Sequence, residues 1–246
     1  MNHHFYYIIV VLLLLSSGCQ RKSPKREALH PKKAIIIKQD AQQKKSMTAQ
    51  KLDSLGMMNI AEADSTIIVS LMYSRSDNFT KRVLYNELKE AYLHPKAARA
   101  LLRAQKILKK THPEYTLIVF DAARPMHIQQ KMWKAVRGTH KNIYVSNPAH
   151  GGGLHNYGLA VDISMANAKG DTIDMGTKVD YMGTAAHIDN EQYMANKGII
   201  SKKALHNRRL LRRVMRQAGF RALHTEWWHF NYCSRKVAKK YYKIIP

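Results

Sequence analysis

Hydrophobic and polar positions along this chain follow two periods, apart from one early stretch that follows neither. The run "FYYIIVVLLLLSSGC" (Phe5 to Cys19) is uniformly apolar and then small. From Gln20 to Lys51 the only apolar cluster is "AIIIK", and ten lysines and arginines face two acids, the composition of a linker. A folded body is expected to begin near Asp64, where the β-branched run "STIIVSLMY" predicts a strand and "SRSDNF" a polar turn. After Pro95, residues Ala98, Leu101, Leu102 and Leu108 recur at helical spacing, with Gln105 as a polar break. They predict a helix over about residues 95–110. "YTLIVFD" reads as a buried strand ending in Asp121, and Pro125 can open a helix running through Trp133. "LAVDIS" is a further short strand, "HNRRLLRRVMRQAGF" an amphipathic helix stopped at Gly219, and "EWWHFNY" an aromatic strand. Strands and helices mix without a βαβ rhythm or a repeat. The expected class is therefore α+β, a single domain with a small mixed or antiparallel sheet flanked by helices.

Composition sharpens the organisation. The 246 residues, 45% of them hydrophobic, suffice for one globular core, and the net charge of +24 predicts a surface that attracts anions without choosing among them. The early apolar run is short for a membrane span and reads as a signal peptide over residues 1–18. Its Ser16-Ser17-Gly18-Cys19 ending resembles a bacterial lipobox, which would make Cys19 the lipidated residue of an envelope lipoprotein. Ser16 stands where leucine is usual, and no lysine or arginine precedes the run. Residues 19–63 would then be a basic tether, either lying along an anionic membrane surface or wall or simply a solvated arm with no specific partner, and residues 64–246 the folded domain. With Cys19 lipidated only Cys233 remains, so no disulfide forms within the mature chain.

Candidate chemistry gathers around a few residues. His155 and Asp162 lie in "GGGLHNYGLAVDIS", where glycines give the backbone the freedom to aim a loop. An aspartate inside an apolar strand needs a partner, and a metal is one. His229 offers a second imidazole, and two histidines with one carboxylate make a frequent zinc set. Glu226 beside such a centre suits a general base. The competing reading is a satisfied core aspartate and a hydrogen-bonded histidine in an aromatic cluster. Residues three apart in a regular strand face opposite ways, so Glu226 and His229 can share a site only if a bulge or strand end intervenes.

Taken together, "DAARP", "HNYGLAVD" and "EWWHF" resemble the motifs of the VanX-like zinc D-Ala-D-Ala dipeptidases. "MYSRSDNFTKRVLY", "DMGTKVDYM" and "NRRLLRRVMRQAGF" are similar to further segments of that family, so the resemblance spans about residues 64–242. It implies one zinc per chain on His155, Asp162 and His229, with Glu226 as catalytic base and Arg124 stabilising the oxyanion. Asp180 would hold the free amino terminus of the dipeptide, and Tyr73 would line its pocket. Gly153 and Leu154 replace serines frequent in the family, Ala122-Ala123 a more usual Gly-Tyr or Gly-His, and Val179 a phenylalanine. These departures bear on substrate grip more than on metal.

The resemblance implies hydrolysis of the dipeptide D-alanyl-D-alanine on the periplasmic side of the envelope. A carboxypeptidase trimming longer peptidoglycan stems is the alternative within one fold. A basic wall- or nucleic-acid-binding lipoprotein would leave Glu226 and Asp162 unexplained, and no nucleic-acid partner is expected. The sequence leaves the oligomeric state open.

Overall fold

The computed structural model describes residues 45–246, and the signal-peptide, Cys19 and residue 19–44 expectations lie outside them. The body does not wait for Asp64. Ser46 caps helix α1 (Met47–Ser54) by accepting from the Ala49 amide, and α1 buries Ala49 and Leu52. Strand β1 (Met58–Asn59) and the short helix α2 (Ile60–Ala63) follow, with Ile60 fully buried. Residues 46–63, expected as the last part of the tether, thus belong to the folded body, because Ala49, Leu52 and Ile60 offer enough apolar surface to a core nearby.

The expected strand at residues 65–73 shrinks to β2 (Ile68–Val69), followed by a 3₁₀ turn over Met72–Ser74. β-branching favoured a longer strand, but only two residues find a partner. β3 (Tyr92–Leu93) pairs with β1, and His94 then caps α3 (Pro95–Thr111), which buries Ala97, Ala98, Leu101, Ala104 and Leu108. β4 (Thr116–Asp121), α4 (Met126–Val136) and β5 (Ala160–Ala166) match the expected segments closely. After the short helix α5 (Glu191–Asn196) comes α6 (Lys202–Gln217), and Gly219 turns the chain at φ +99°. β6 (Arg221–Leu223), β7 (Glu226–Asn231) and α7 (Arg235–Tyr241) complete the body.

The main sheet has five strands in the order β2-β4-β5-β7-β6, antiparallel except for the β2–β4 pair. The α+β class with a mixed sheet is therefore what the chain forms. β5 runs through its middle and all seven of its residues are buried. That central position is what makes Asp162 exceptional. Among the described residues no helix is long and apolar enough to cross a membrane.

Candidate metal centre and active-site cleft

Asp162 and His229 are register partners across β5 and β7, so their side chains leave one face of the sheet side by side. His155 arrives from a 3₁₀ turn over Leu154–Tyr157 that ends at Gly158, φ +64°. A Cβ at Gly158 would meet the backbone nitrogen of His94 at 2.8 Å, so only glycine lets the turn sit this close to the start of α3.

Three atoms converge. His155 Nε2 lies 3.2 Å from His229 Nδ1 and 3.3 Å from Asp162 Oδ1, and the last two are 2.9 Å apart. The outer edges of both rings decide what these atoms carry. His155 Nδ1–H donates to the Ala122 carbonyl at 2.7 Å, and His229 Nε2–H donates to Asn231 Oδ1 at 2.9 Å. Both inner nitrogens of neutral rings are then bare lone pairs facing a carboxylate oxygen. Three acceptors with no hydrogen among them repel unless a cation sits between. Zinc with ligands at ~2.0–2.1 Å in a tetrahedron separates them by roughly 3.3 Å, close to the spacing seen. The residues present thus fit a zinc ion, and their outer hydrogen bonds fix the tautomers such an ion needs.

Arg124 stands beside this centre in a different condition. Asp121, fully buried at the end of β4, accepts from Arg124 Nη2, from Arg124 Nε at 2.9 Å and from the Tyr85 hydroxyl at 2.7 Å. Gln129 on α4 accepts from Arg124 Nη1 at 2.8 Å, and the guanidinium lies 5.3 Å from the centre of the Tyr73 ring. The β4–β5 ladder shifts register between Val119 and Asp121, which brings Asp121 opposite Asp162. Asp121 orients Arg124, whose Nη2 is 3.9 Å from Asp162 Oδ2. The arginine is aimed at the centre without being consumed by it.

The strand problem posed by Glu226 and His229 is resolved by the strand end that was required. Glu226 is the first residue of β7, and the β6–β7 ladder changes register between Ala222 and Leu223. Glu226 and His229 consequently line one cleft, together with Trp228. Trp227 turns elsewhere, donating from Nε1 to Thr177 Oγ1 at 2.7 Å and packing on Arg208. Only one of the two tryptophans therefore shields the cleft. Burial pushes the Glu226 carboxyl up to about 8; His229 and Arg124 oppose the rise, Asp162 and Asp180 add to it.

Asp180 closes the far side. It holds a left-handed φ of +70°, unusual outside glycine, and its carboxylate accepts from the Tyr73 hydroxyl at 3.0 Å and the Phe79 amide at 2.8 Å. Burial pushes it up to about 7 against both bonds. The cleft holds about 650 Å³, and its rim carries Tyr144, Ser146, Arg221 and Arg235. The departure at Gly153 also has a steric counterpart, since a Cβ there would meet Ser146 Oγ at 2.8 Å. The Ser146 hydroxyl occupies the space that a residue-153 side chain would need.

Every residue singled out in the sequence for the pocket thus lies in this cleft, including Tyr73, Arg124 and Asp180. Sequence reasoning passed over Tyr85, Gln129, Asn231 and the Ala122 carbonyl, which hold the others in place. Asn231, two residues after His229, was the one with a local signal.

A histidine and a carboxylate on one sheet face, met by a second histidine from a turn and with a glutamate in the same cleft, define a metallopeptidase. The chain belongs to the D-Ala-D-Ala dipeptidase family, Peptidase_M15, whose profile matches residues 53–245. It is similar to the D-alanyl-D-alanine dipeptidase of Escherichia coli K12, 28% identical over 178 residues, 72% of this chain and 85% of that one. The Enterococcus faecium D-alanyl-D-alanine dipeptidase is 28% identical over 178 residues, 64% of this chain and 82% of its own. A solved vancomycin resistance D,D-pentapeptidase, VanY, in complex with Zn(II) aligns at a TM-score of 0.34 with 15% identity, over 61% of this chain and 78% of that one. That likeness is too distant to carry residues across. Membership supports peptidase activity on D-Ala-containing substrates, and zinc dependence is general for the family.

Proposed function

We propose that the protein is an envelope zinc dipeptidase that hydrolyses D-alanyl-D-alanine to two D-alanines. The observation that carries this reading is the convergence of three acceptor atoms at 2.9 to 3.3 Å, with Glu226 in the same cleft. His155, Asp162 and His229 would hold the zinc, which supplies Lewis acidity toward a peptide carbonyl and toward water. Glu226 takes the proton of the attacking water and delivers it to the leaving amine. A carboxyl pushed up by burial suits both halves of that transfer, and a dication nearby draws it down toward its basic form. Arg124, fixed by Asp121 and Gln129, offers its charge to the oxyanion without reorganising. Asp180, with Tyr73 behind it, receives the substrate ammonium, which would convert a raised carboxyl into a paired carboxylate. Cys19 would anchor the enzyme on the periplasmic side of the envelope, with the basic residues after it along the anionic surface.

The cleft is roomier than two alanines require, which favours keeping the stem-trimming carboxypeptidase as a second reading. Rates on D-Ala-D-Ala and its N-acetyl derivative separate the two. The dipeptidase reading expects the free dipeptide to be roughly ten- to a hundredfold better in kcat/KM, with Asp180→Ala narrowing the gap. Equal rates would transfer the assignment to the longer substrate.

A further inference from the structure

Helices α3 and α6 pack against each other and together carry thirteen lysines and arginines and no acid. Their placement is regular. Lys96, Arg99, Arg103, Lys106 and Lys110 are exposed on α3 at alternating steps of three and four. Lys202, His206, Arg209, Arg213 and Arg216 do the same on α6. Such spacing draws a single stripe along each helix, each roughly 25 Å long, with axes about 8–10 Å apart. Arg103 ties the pair together by donating to the Ala218 carbonyl at 3.1 Å, at the end of α6. Among the described residues none of these exposed lysines and arginines forms an ion pair; Glu191 is spent on Arg208 and Arg212 beneath them.

Like charges at i, i+3 and i, i+4 destabilise a helix, so two such stripes side by side work against folding unless an anionic surface lies over them. We propose that the α3–α6 face docks on anionic lipid head groups and sets the orientation of the catalytic body on the membrane. Lipid fits better than nucleic acid, because neither helix carries a Phe, Tyr or Trp on which bases could stack. The sequence points the same way, since the apolar run Phe5–Leu15 and the basic stretch after it suit a lipid interface. No residue of α3 or α6 lines the active-site cleft, so docking leaves the cleft open.

The test uses the full-length chain with phosphatidylcholine vesicles, with and without phosphatidylglycerol. The quadruple variant Arg99→Glu, Lys106→Glu, Arg209→Glu, Arg213→Glu should lower the preference for anionic vesicles by roughly 600-fold, at about fivefold per cation removed. Hydrolysis of D-Ala-D-Ala without vesicles should be unchanged. If the Glu variant fails to fold, the matching Gln variant should show a smaller drop of the same sign. The same four-charge reversal at Lys22, Lys25, Lys32 and Lys33 gives the background contributed by the basic stretch after Cys19 and should leave the helix-face effect in place. An unchanged vesicle preference in the α3–α6 variants overturns the proposal. So does a loss confined to heparin or duplex DNA, which would make the face a site for soluble polyanions.

Discussion

The two halves of the cleft differ in how complete they are. On the Arg124 side every charge has its partner: Asp121 accepts from Arg124 and Tyr85, and Gln129 takes the remaining guanidinium edge. On the β5–β7 side His155, Asp162 and His229 turn only acceptors toward one another. The first half is finished by the protein; the second is finished by something from outside. A buried ion pair fixes where a group stands, whereas a cluster of bare lone pairs says what must be bound.

The largest effect should follow from breaking the incomplete half. Asp162→Ala or His155→Ala is expected to abolish hydrolysis and metal retention together, as measured by metal analysis of the purified variant alongside kcat/KM. Full metal with normal turnover would mean the cluster is only structural. Next in size is Glu226→Gln, which should lower kcat by about 10²-fold or more while the protein keeps its zinc. Metal loss of the Asp162→Ala kind would instead make Glu226 a ligand.

Breaking the complete half should show as stability more than as metal. Asp121→Ala strands a buried arginine and should cost about 3–5 kcal/mol in denaturant unfolding, with zinc affinity changed far less. A variant as stable as wild type would show that Arg124 finds another partner.

A smaller effect is expected from pH on the metal-free protein. Glu226 and Asp180 are pushed up to about 8 and about 7, chiefly by burial, so the folded state holds protons that the unfolded state has released. Their contribution is present below about pH 4 and fades as pH rises through 7 and 8. The Tm of chelated protein should therefore fall from pH 5 to pH 8.5, and Glu226→Gln should flatten part of that slope. A Tm that rises over this window would contradict the burial argument. Smallest of all, Gly153→Ser should raise KM modestly by displacing Ser146 and leave zinc content alone.

The same contrast explains what could be read in the sequence. Asp162 stood out because a carboxylate in "LAVDIS" violates the apolar rule for a buried strand, and β5 proved to be the central strand. The partners that complete Arg124 were silent, because Tyr85 and Gln129 come from different segments and only the packed chain unites them. Register was equally hidden. Nothing in "EWWHF" states that β6 and β7 slip at Leu223, yet that slip brings Glu226 and His229 to one cleft. Helix α1 was obscured by the lysines around it, although Ser46 as cap, Ala49 and Leu52 as buried face and Gly56 at φ +72° carried a signal.

The central claim is that the three convergent acceptors exist to hold a metal and that Glu226 does not. Zinc per chain, measured on wild type, Asp162→Ala and Glu226→Gln after dialysis against the same limiting zinc buffer, tests it most directly. The account predicts about one zinc in wild type and Glu226→Gln, and close to none in Asp162→Ala. Equal zinc in Asp162→Ala and wild type, or its loss in Glu226→Gln, would contradict it.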